Sequence, residues 1–214
     1  AVLIDTTNLD ANEVFLLAKK HIESAKNSGA DYAKFQTYFT EKRAKPGSTI
    51  RDILSTCELN VNQFAELKDF CDSLDIGFAS TAFCENSAQL LEDIGCDFIK
   101  IASFQIGNKK LIEDISKGNW IKELWISTGM SHPSEIMSAH KILTNDSSVL
   151  SDKFCFMHCV SQYPVKQISD YSLINIPWLE EITGKGAGYS DHTLGSRAAV
   201  VAVALGARLI EKHF

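Results

Sequence analysis

The sequence predicts an α/β chain folded as a single (β/α)8 barrel domain over residues 1–214. Three observations point there. Short apolar runs alternate with amphipathic segments along the chain, the pattern of a parallel sheet with right-handed crossovers. The strand candidates number eight, the count of a closed barrel. Unusual polar residues gather at the ends of those strands, where a barrel carries its chemistry.

The strand candidates are AVLID (1–5), YAKFQTY (32–38), IGFAST (76–81), FIKIAS (98–103), LWISTG (124–129), FCFMHCV (154–160), AGYSDH (187–192) and RLIEKHF (208–214). Between the first two, residues 12–29 carry Val14, Leu17, Ala18, Ile22 and Ala25 at helical spacing, and Gly29 closes the segment. Residues 62–75, 85–95, 108–118 and 132–143 read the same way, with Pro133 suited to a first helical turn. Residues 195–207 form an apolar helix closed by Gly206. Residues 39–60 read as one long polar loop with a short helix around Ile50–Leu54. The eighth strand is the last element, so the expected barrel ends there without a final helix.

Composition narrows the function. A chain of 214 residues that is 45% hydrophobic can bury one substantial core. The net charge is −6 and no basic block stands out, which speaks against nucleic acid and anionic membranes. No apolar run approaches a membrane span, and the start lacks the basic region of a signal peptide, so a cytoplasmic protein is expected. Six scattered cysteines read as reduced, packed thiols. In the tightest cluster, CFMHC, strand alternation turns Cys155 and Cys159 away from His158, which disfavours zinc.

The strand ends hold Lys34 and Gln36, Thr81, Lys100 and Ser103, Ser127, His158, Ser190 with Asp191 and His192, and Glu211 with His213. Each has a plain reading: a lysine snorkels, a hydroxyl is satisfied within its strand, a lone histidine belongs to the core. The joint pattern carries more. Lysines within apolar strands each bear a desolvation cost that a shared anion would offset. Lys34, Lys100, Ser103, Ser127 and Ser190 together suit a phosphate. His192 and His213, on neighbouring strands with carboxylates beside them, suit a divalent first-row metal. The combination implies a phosphorylated small molecule and Lewis-acid activation of a carbonyl.

The segments GADYAKFQTY, IKIAS, ISTGM, HCVSQYP, GYSDHTLG and GARLIEKHF occur in this order. The chain thereby resembles the N-acetylneuraminate (sialic acid) synthase family, with its legionaminate, pseudaminate and spore-coat relatives, over roughly residues 14–214. GYSDHT and IEKHF at this separation are the most specific part. The resemblance implies condensation of phosphoenolpyruvate with an N-acetylated mannosamine-type sugar into a nine-carbon 2-keto sugar acid, with release of phosphate. It implies Mn²⁺, with Mg²⁺ and Co²⁺ as alternatives, held by His192 and His213, and Glu211 beside the metal and its water. It assigns Lys34, Thr81, Lys100, Ser103, Ser127 and Ser190 to phosphoenolpyruvate, and Gln36, Ser161 and Tyr163 to the sugar. A homodimer is compatible with it.

Two departures qualify the resemblance. The family's first strand ends in Glu-Ile-Gly-x-Asn-His-x-Gly, whereas this chain reads IDTTNLDANE. Thr6 aligns with the glutamate without a gap, and a turn one residue shorter places Asp5 there, making Asp5 the candidate catalytic acid. The family also continues past strand eight into a last helix and an antifreeze-like domain that donates an arginine to the partner subunit's sugar site. The chain is therefore expected to bind phosphoenolpyruvate with little turnover. Two other readings follow: a divergent, non-catalytic binding protein, and a synthase of 3-deoxy-sugar acids on the same barrel, against which GYSDHT and IEKHF speak.

Overall fold

The computed structural model describes residues 9–118 and 120–213. The expected first strand, residues 1–5, with Asp5 and Thr6, lies outside them. The chain divides into two compact units, Ala1–Ile99 and Lys100–Phe214.

In the first unit, α1 (Ala11–Asn27) starts at Asp10, whose carboxylate accepts from the amides of Asn12 and Glu13, while Glu13 accepts from the Asp10 amide. This reciprocal cap satisfies amides that a helix start leaves open. Ile22 and Ala25 are buried as their spacing predicts, and Gly29, at φ +77°, supplies the left-handed turn that ends the segment. Strands β1 (Tyr32–Thr37) and β2 (Gly77–Ala82) pair in parallel, with Lys34 opposite Ala79 and Gln36 opposite Thr81. Period-two alternation then splits the sheet. Phe35 and Phe78 stack on one face at 5.5 Å, and Lys34, Gln36 and Thr81 occupy the other.

Residues 39–60 correct the sequence reading. Instead of one loop with a single turn of helix, they form α2 (Thr40–Arg43) and α3 (Thr49–Cys57). Ser48 caps α3, and Tyr38 ties it down by donating to the Leu54 carbonyl. The polar composition reflects a helix with no buried residue, not the absence of a helix. Then α4 (Val61–Ser73) and α5 (Glu85–Asp93) pack on β2, burying Phe64, Leu67 and Leu91. Each such side chain contributes about 1.5–3 kcal/mol.

Strand β3 (Phe98–Ile101) straddles the boundary between the units. The second unit continues with α6 (Lys109–Ser116), β4 (Glu123–Ser127), α7 (Pro133–Leu143), β5 (Phe154–Cys159), α8 (Asn175–Thr183), β6 (Gly188–Asp191), α9 (Arg197–Ala204) and β7 (Leu209–Lys212). Helix α8 was not anticipated: Pro177 interrupts its apolar pattern but falls in the first turn, where no amide donor is missed. Gly184, in the left-handed conformation, ends it.

Strands β4, β5, β6 and β7 pair in parallel in chain order. Leu124 sits beside Phe154 and Ile126 beside Phe156; these are buried, with α8 packed on β5 and α9 on β6. The same pairing sends Ser127, Met157, Cys159, Ser190 and Glu211 to the opposite face. All six cysteines are free thiols. Burial raises Cys71, Cys96 and Cys155 to about 12, so these three stay protonated and inert. Among the described residues no helix is long and apolar enough to cross a membrane.

Candidate active site

The second unit brings together most of the residues singled out from the sequence. Ser190 on β6 is the register partner of Glu211 on β7. Its hydroxyl donates to the Glu211 carboxylate at 2.5 Å and accepts from the Lys100 ammonium at 3.1 Å. Lys100 also pairs directly with Glu211, and both side chains are only 9% exposed. In sequence Lys100 is flanked on both sides by apolar residues, Phe98 and Ile99 before it and Ile101 after; in the fold its partner lies 111 residues away. An ammonium buried without a counter-charge would be costly, and Glu211 compensates it.

His192 follows Ser190 on the same face. Its Nδ1 lies 2.6 Å from the Val160 carbonyl, which can only accept, so Nδ1 carries the proton. Its Nε2 lies 3.4 Å from the Ser190 hydroxyl, whose single proton is committed to Glu211. The Nε2 lone pair is therefore not engaged by Ser190. Burial pushes the His192 pKa down; the Val160 bond and Glu211 oppose this, and Lys100 adds to it. A neutral imidazole with one fixed N–H and one open nitrogen is the state that binds a metal.

The ring of His213 lies with its centroid 5.0 Å from that of His192. Tyr163, from the loop after β5, covers both: its ring lies 4.1 Å from His192 and stacks on His213 at 5.6 Å. That loop is held by the Val165 amide, which donates to the His192 carbonyl at 3.0 Å, and by the Val165–Thr193 bridge.

Ser103 meets the Cys159 thiol at 3.1 Å, and Cys159 is the register partner of Ser190. The Ser127 hydroxyl, on the same sheet face, is buried and has no hydrogen-bond partner among the described residues. Gly129 explains the end of ISTGM: a Cβ there would stand 2.6 Å from both the Cys159 sulfur and the Ser161 hydroxyl. In the first unit, Lys34 donates to the Thr81 hydroxyl at 3.0 Å on the face that also carries Gln36.

Two strand-end residues do not belong to this cluster. Asp191, read as a carboxylate beside the imidazoles, faces the other way and pairs with Lys212 at 2.9 Å. His158 stacks on Tyr189 and bonds the Tyr171 carbonyl at 2.8 Å. Both lie one residue out of phase with Ser190 and Cys159, and a strict period of two separates them. Sequence reading also missed the Val160 carbonyl and Cys159. The first is backbone and leaves no mark in the sequence; the second was set aside as packing.

As a metal site the donor set fits in part. Among the described residues no group of three His, Cys, Asp or Glu side chains converges. His192 and His213 supply two imidazoles, which leaves the remaining positions to substrate and water.

The NeuB family model matches residues 21–214. The chain belongs to the NeuB family. It is 36% identical to an uncharacterized protein of Methanocaldococcus jannaschii, over 99% of this chain and 61% of that one. It is 32% identical to the pseudaminic acid synthase of Helicobacter pylori, over 95% and 62%. The crystal structure of an N-acetylneuraminic acid synthetase from Leptospira borgpetersenii, in complex with citrate, superposes with a TM-score of 0.84 at 32% identity, covering 94% of this chain and 68% of that one. The chain thus spans about three fifths of the length of the first two NeuB relatives.

Proposed function

We propose that this NeuB-family chain carries the catalytic face of a sugar-acid synthase, which condenses phosphoenolpyruvate with an N-acetylated hexosamine to a 2-keto sugar acid. The observation that carries the reading is the Lys100–Ser190–Glu211 network beside the two imidazoles. Named synthases at 32% identity and the synthetase at TM-score 0.84 support it.

In this reading the phosphate of phosphoenolpyruvate takes the Lys100 ammonium from Glu211, with Ser103, Ser127 and Ser190 as hydroxyl donors. Lys34 and Thr81 are assigned to the same substrate, and Gln36, Ser161 and Tyr163 to the sugar. His192 and His213 would hold Mn²⁺, which when bound polarises the carbonyl oxygen of the open-chain sugar. The methylene carbon of phosphoenolpyruvate bonds to the aldehyde carbon, and the aldehyde oxygen takes a proton from Asp5, the assigned first-strand acid. Water adds at the phosphate-bearing carbon and gives up a proton, which Glu211, freed from Lys100, accepts. The carbon–oxygen bond to phosphate breaks as the new hydroxyl at that carbon passes its proton to the departing phosphate, leaving inorganic phosphate and the 2-keto acid.

The test is phosphate release from phosphoenolpyruvate with Mn²⁺ and a panel of N-acetylated hexosamines. Release that depends on the sugar supports the synthase. Phosphoenolpyruvate binding without release supports a binding protein in which IDTTNLDANE no longer provides the acid. Absence of both phosphoenolpyruvate binding and phosphate release would overturn the proposal.

A further inference from the structure

Behind the two imidazoles, on the opposite face of the same two strands, lies an ion pair that the proposed chemistry does not use. Asp191 and Lys212 are register partners across β6 and β7. Each stands between two site residues: Asp191 between Ser190 and His192, Lys212 between Glu211 and His213. The Asp191 side chain is fully buried and takes two donors. They are the Thr193 amide at 2.8 Å and the Lys212 ammonium at 2.9 Å. Lys212 in turn donates to the Thr193 carbonyl.

These bonds close a small frame around the backbone of residue 192. The Asp191 carboxylate grips the chain on the far side of His192, through the Thr193 amide, and Lys212 grips Thr193 again through its carbonyl. The His192 carbonyl is held separately by Val165. Lys212 ends the strand that leads directly into His213, so the frame ties the backbone beside one imidazole to that beside the other. In a strand, a shift of one backbone step carries a side chain to the other face. A link between register partners next to both histidines therefore fixes how the two rings stand relative to each other.

We infer that Asp191 and Lys212 are positioning residues that set the spacing of His192 and His213 for a divalent metal. The inference rests on the proposed metal reading of that pair. Neither residue faces the site, and neither touches a ligand in it; they act through the backbone. Their effect falls on metal affinity, while the groups assigned to phosphoenolpyruvate stay in place.

The experiment compares the full chain with Lys212→Met, Lys212→Arg, Asp191→Asn and His192→Ala. Mn²⁺ binding is followed by electron paramagnetic resonance of the free ion, and phosphoenolpyruvate affinity by calorimetry. Loss of a residue that orients a metal ligand weakens metal binding by about 10- to 100-fold. Lys212→Met is expected in that range, with phosphoenolpyruvate affinity unchanged and most Mn²⁺ affinity recovered by Lys212→Arg. Asp191→Asn is expected to behave like Lys212→Met; should that buried change unfold the chain, Lys212→Met decides, since Lys212 is part-exposed. Wild-type Mn²⁺ affinity in folded Lys212→Met would overturn the inference, as would equal losses of Mn²⁺ and phosphoenolpyruvate binding, or an arginine variant as weak as the methionine. Wild-type Mn²⁺ binding that His192→Ala does not reduce, or no Mn²⁺ binding at all, would instead overturn the metal reading, and this inference with it.

Discussion

Lys100 and Glu211 form a buried ion pair across 111 residues of sequence, and Ser190 hydrogen-bonds to both. Removing one partner strands the other's charge, which typically costs about 3–5 kcal/mol. Lys100→Met and Glu211→Leu should each lower unfolding stability in urea by that order. The double variant should be more stable than either single one, because no uncompensated charge remains. Equal losses that simply add in the double variant would mean that the two groups do not depend on each other.

His192→Ala should abolish Mn²⁺ binding, because it removes the imidazole whose Nδ1 proton is fixed on Val160 and whose Nε2 is left open. His158→Gln is the control, since His158 lies on the opposite face against Tyr189. Calorimetry that finds the two variants equally affected would contradict the assignment of faces.

The contrast between those two histidines marks what the sequence made legible. The seven strands among the described residues came through to within two residues, because alternating apolar runs are set by burial. The face of each strand-end residue was also implicit, and it was lost for Asp191 only because proximity in sequence to His192 was read as proximity in space. The Lys100–Glu211 pair was out of reach, since nothing local records which distant carboxylate a register brings to a lysine. Of the helices at residues 40–57 only the middle of α3, around Ile50–Leu54, was legible, for a different reason: α3 buries no residue, so its ends imitate a loop.

Stability should fall with acid in a defined window. Burial lowers the pKa of both His158 and His192 from the ordinary 6.5. Below pH 6.5 the unfolded chain takes up protons that the folded chain refuses until its own lower values are reached. The unfolded state therefore binds more protons in that interval, and stability rises with pH across it. Metal-free thermal melts from pH 8 to 5 should show the midpoint dropping below about pH 6.5. His158→Gln should flatten the slope, whatever it does to the midpoint at pH 8. A slope unchanged by the substitution would remove His158 as a contributor.

Gly129→Ala should destabilise the loop after β4. The added methyl would meet the Cys159 sulfur and the Ser161 hydroxyl at 2.6 Å, with the Cys159 carbonyl at 3.0 Å. Overpacking of this kind costs roughly 1–3 kcal/mol. Serine 161 is assigned to the sugar, so the same change should weaken sugar binding more than phosphoenolpyruvate binding. A fully stable alanine variant with unaltered sugar affinity would show that Ser161 moves aside freely and has no fixed role.

Ser127 gives a test in which stability and binding move in opposite directions. Its hydroxyl is buried on the face that carries Ser190 and Glu211, yet among the described residues no group bonds to it. A buried, unsatisfied polar atom costs about 1–3 kcal/mol. Ser127→Ala removes it and leaves nearly the same volume, so the ligand-free chain should unfold at equal or higher denaturant. If the hydroxyl is there for the phosphate, the variant also loses one charge-assisted hydrogen bond, worth about 1.5–3 kcal/mol. That corresponds to a loss in phosphoenolpyruvate affinity of about tenfold or more. Stability held and affinity lost is the signature of a group kept for a ligand. Lower stability with unchanged affinity would make Ser127 an ordinary packing residue and would remove one of the hydroxyl donors from the proposed anion site.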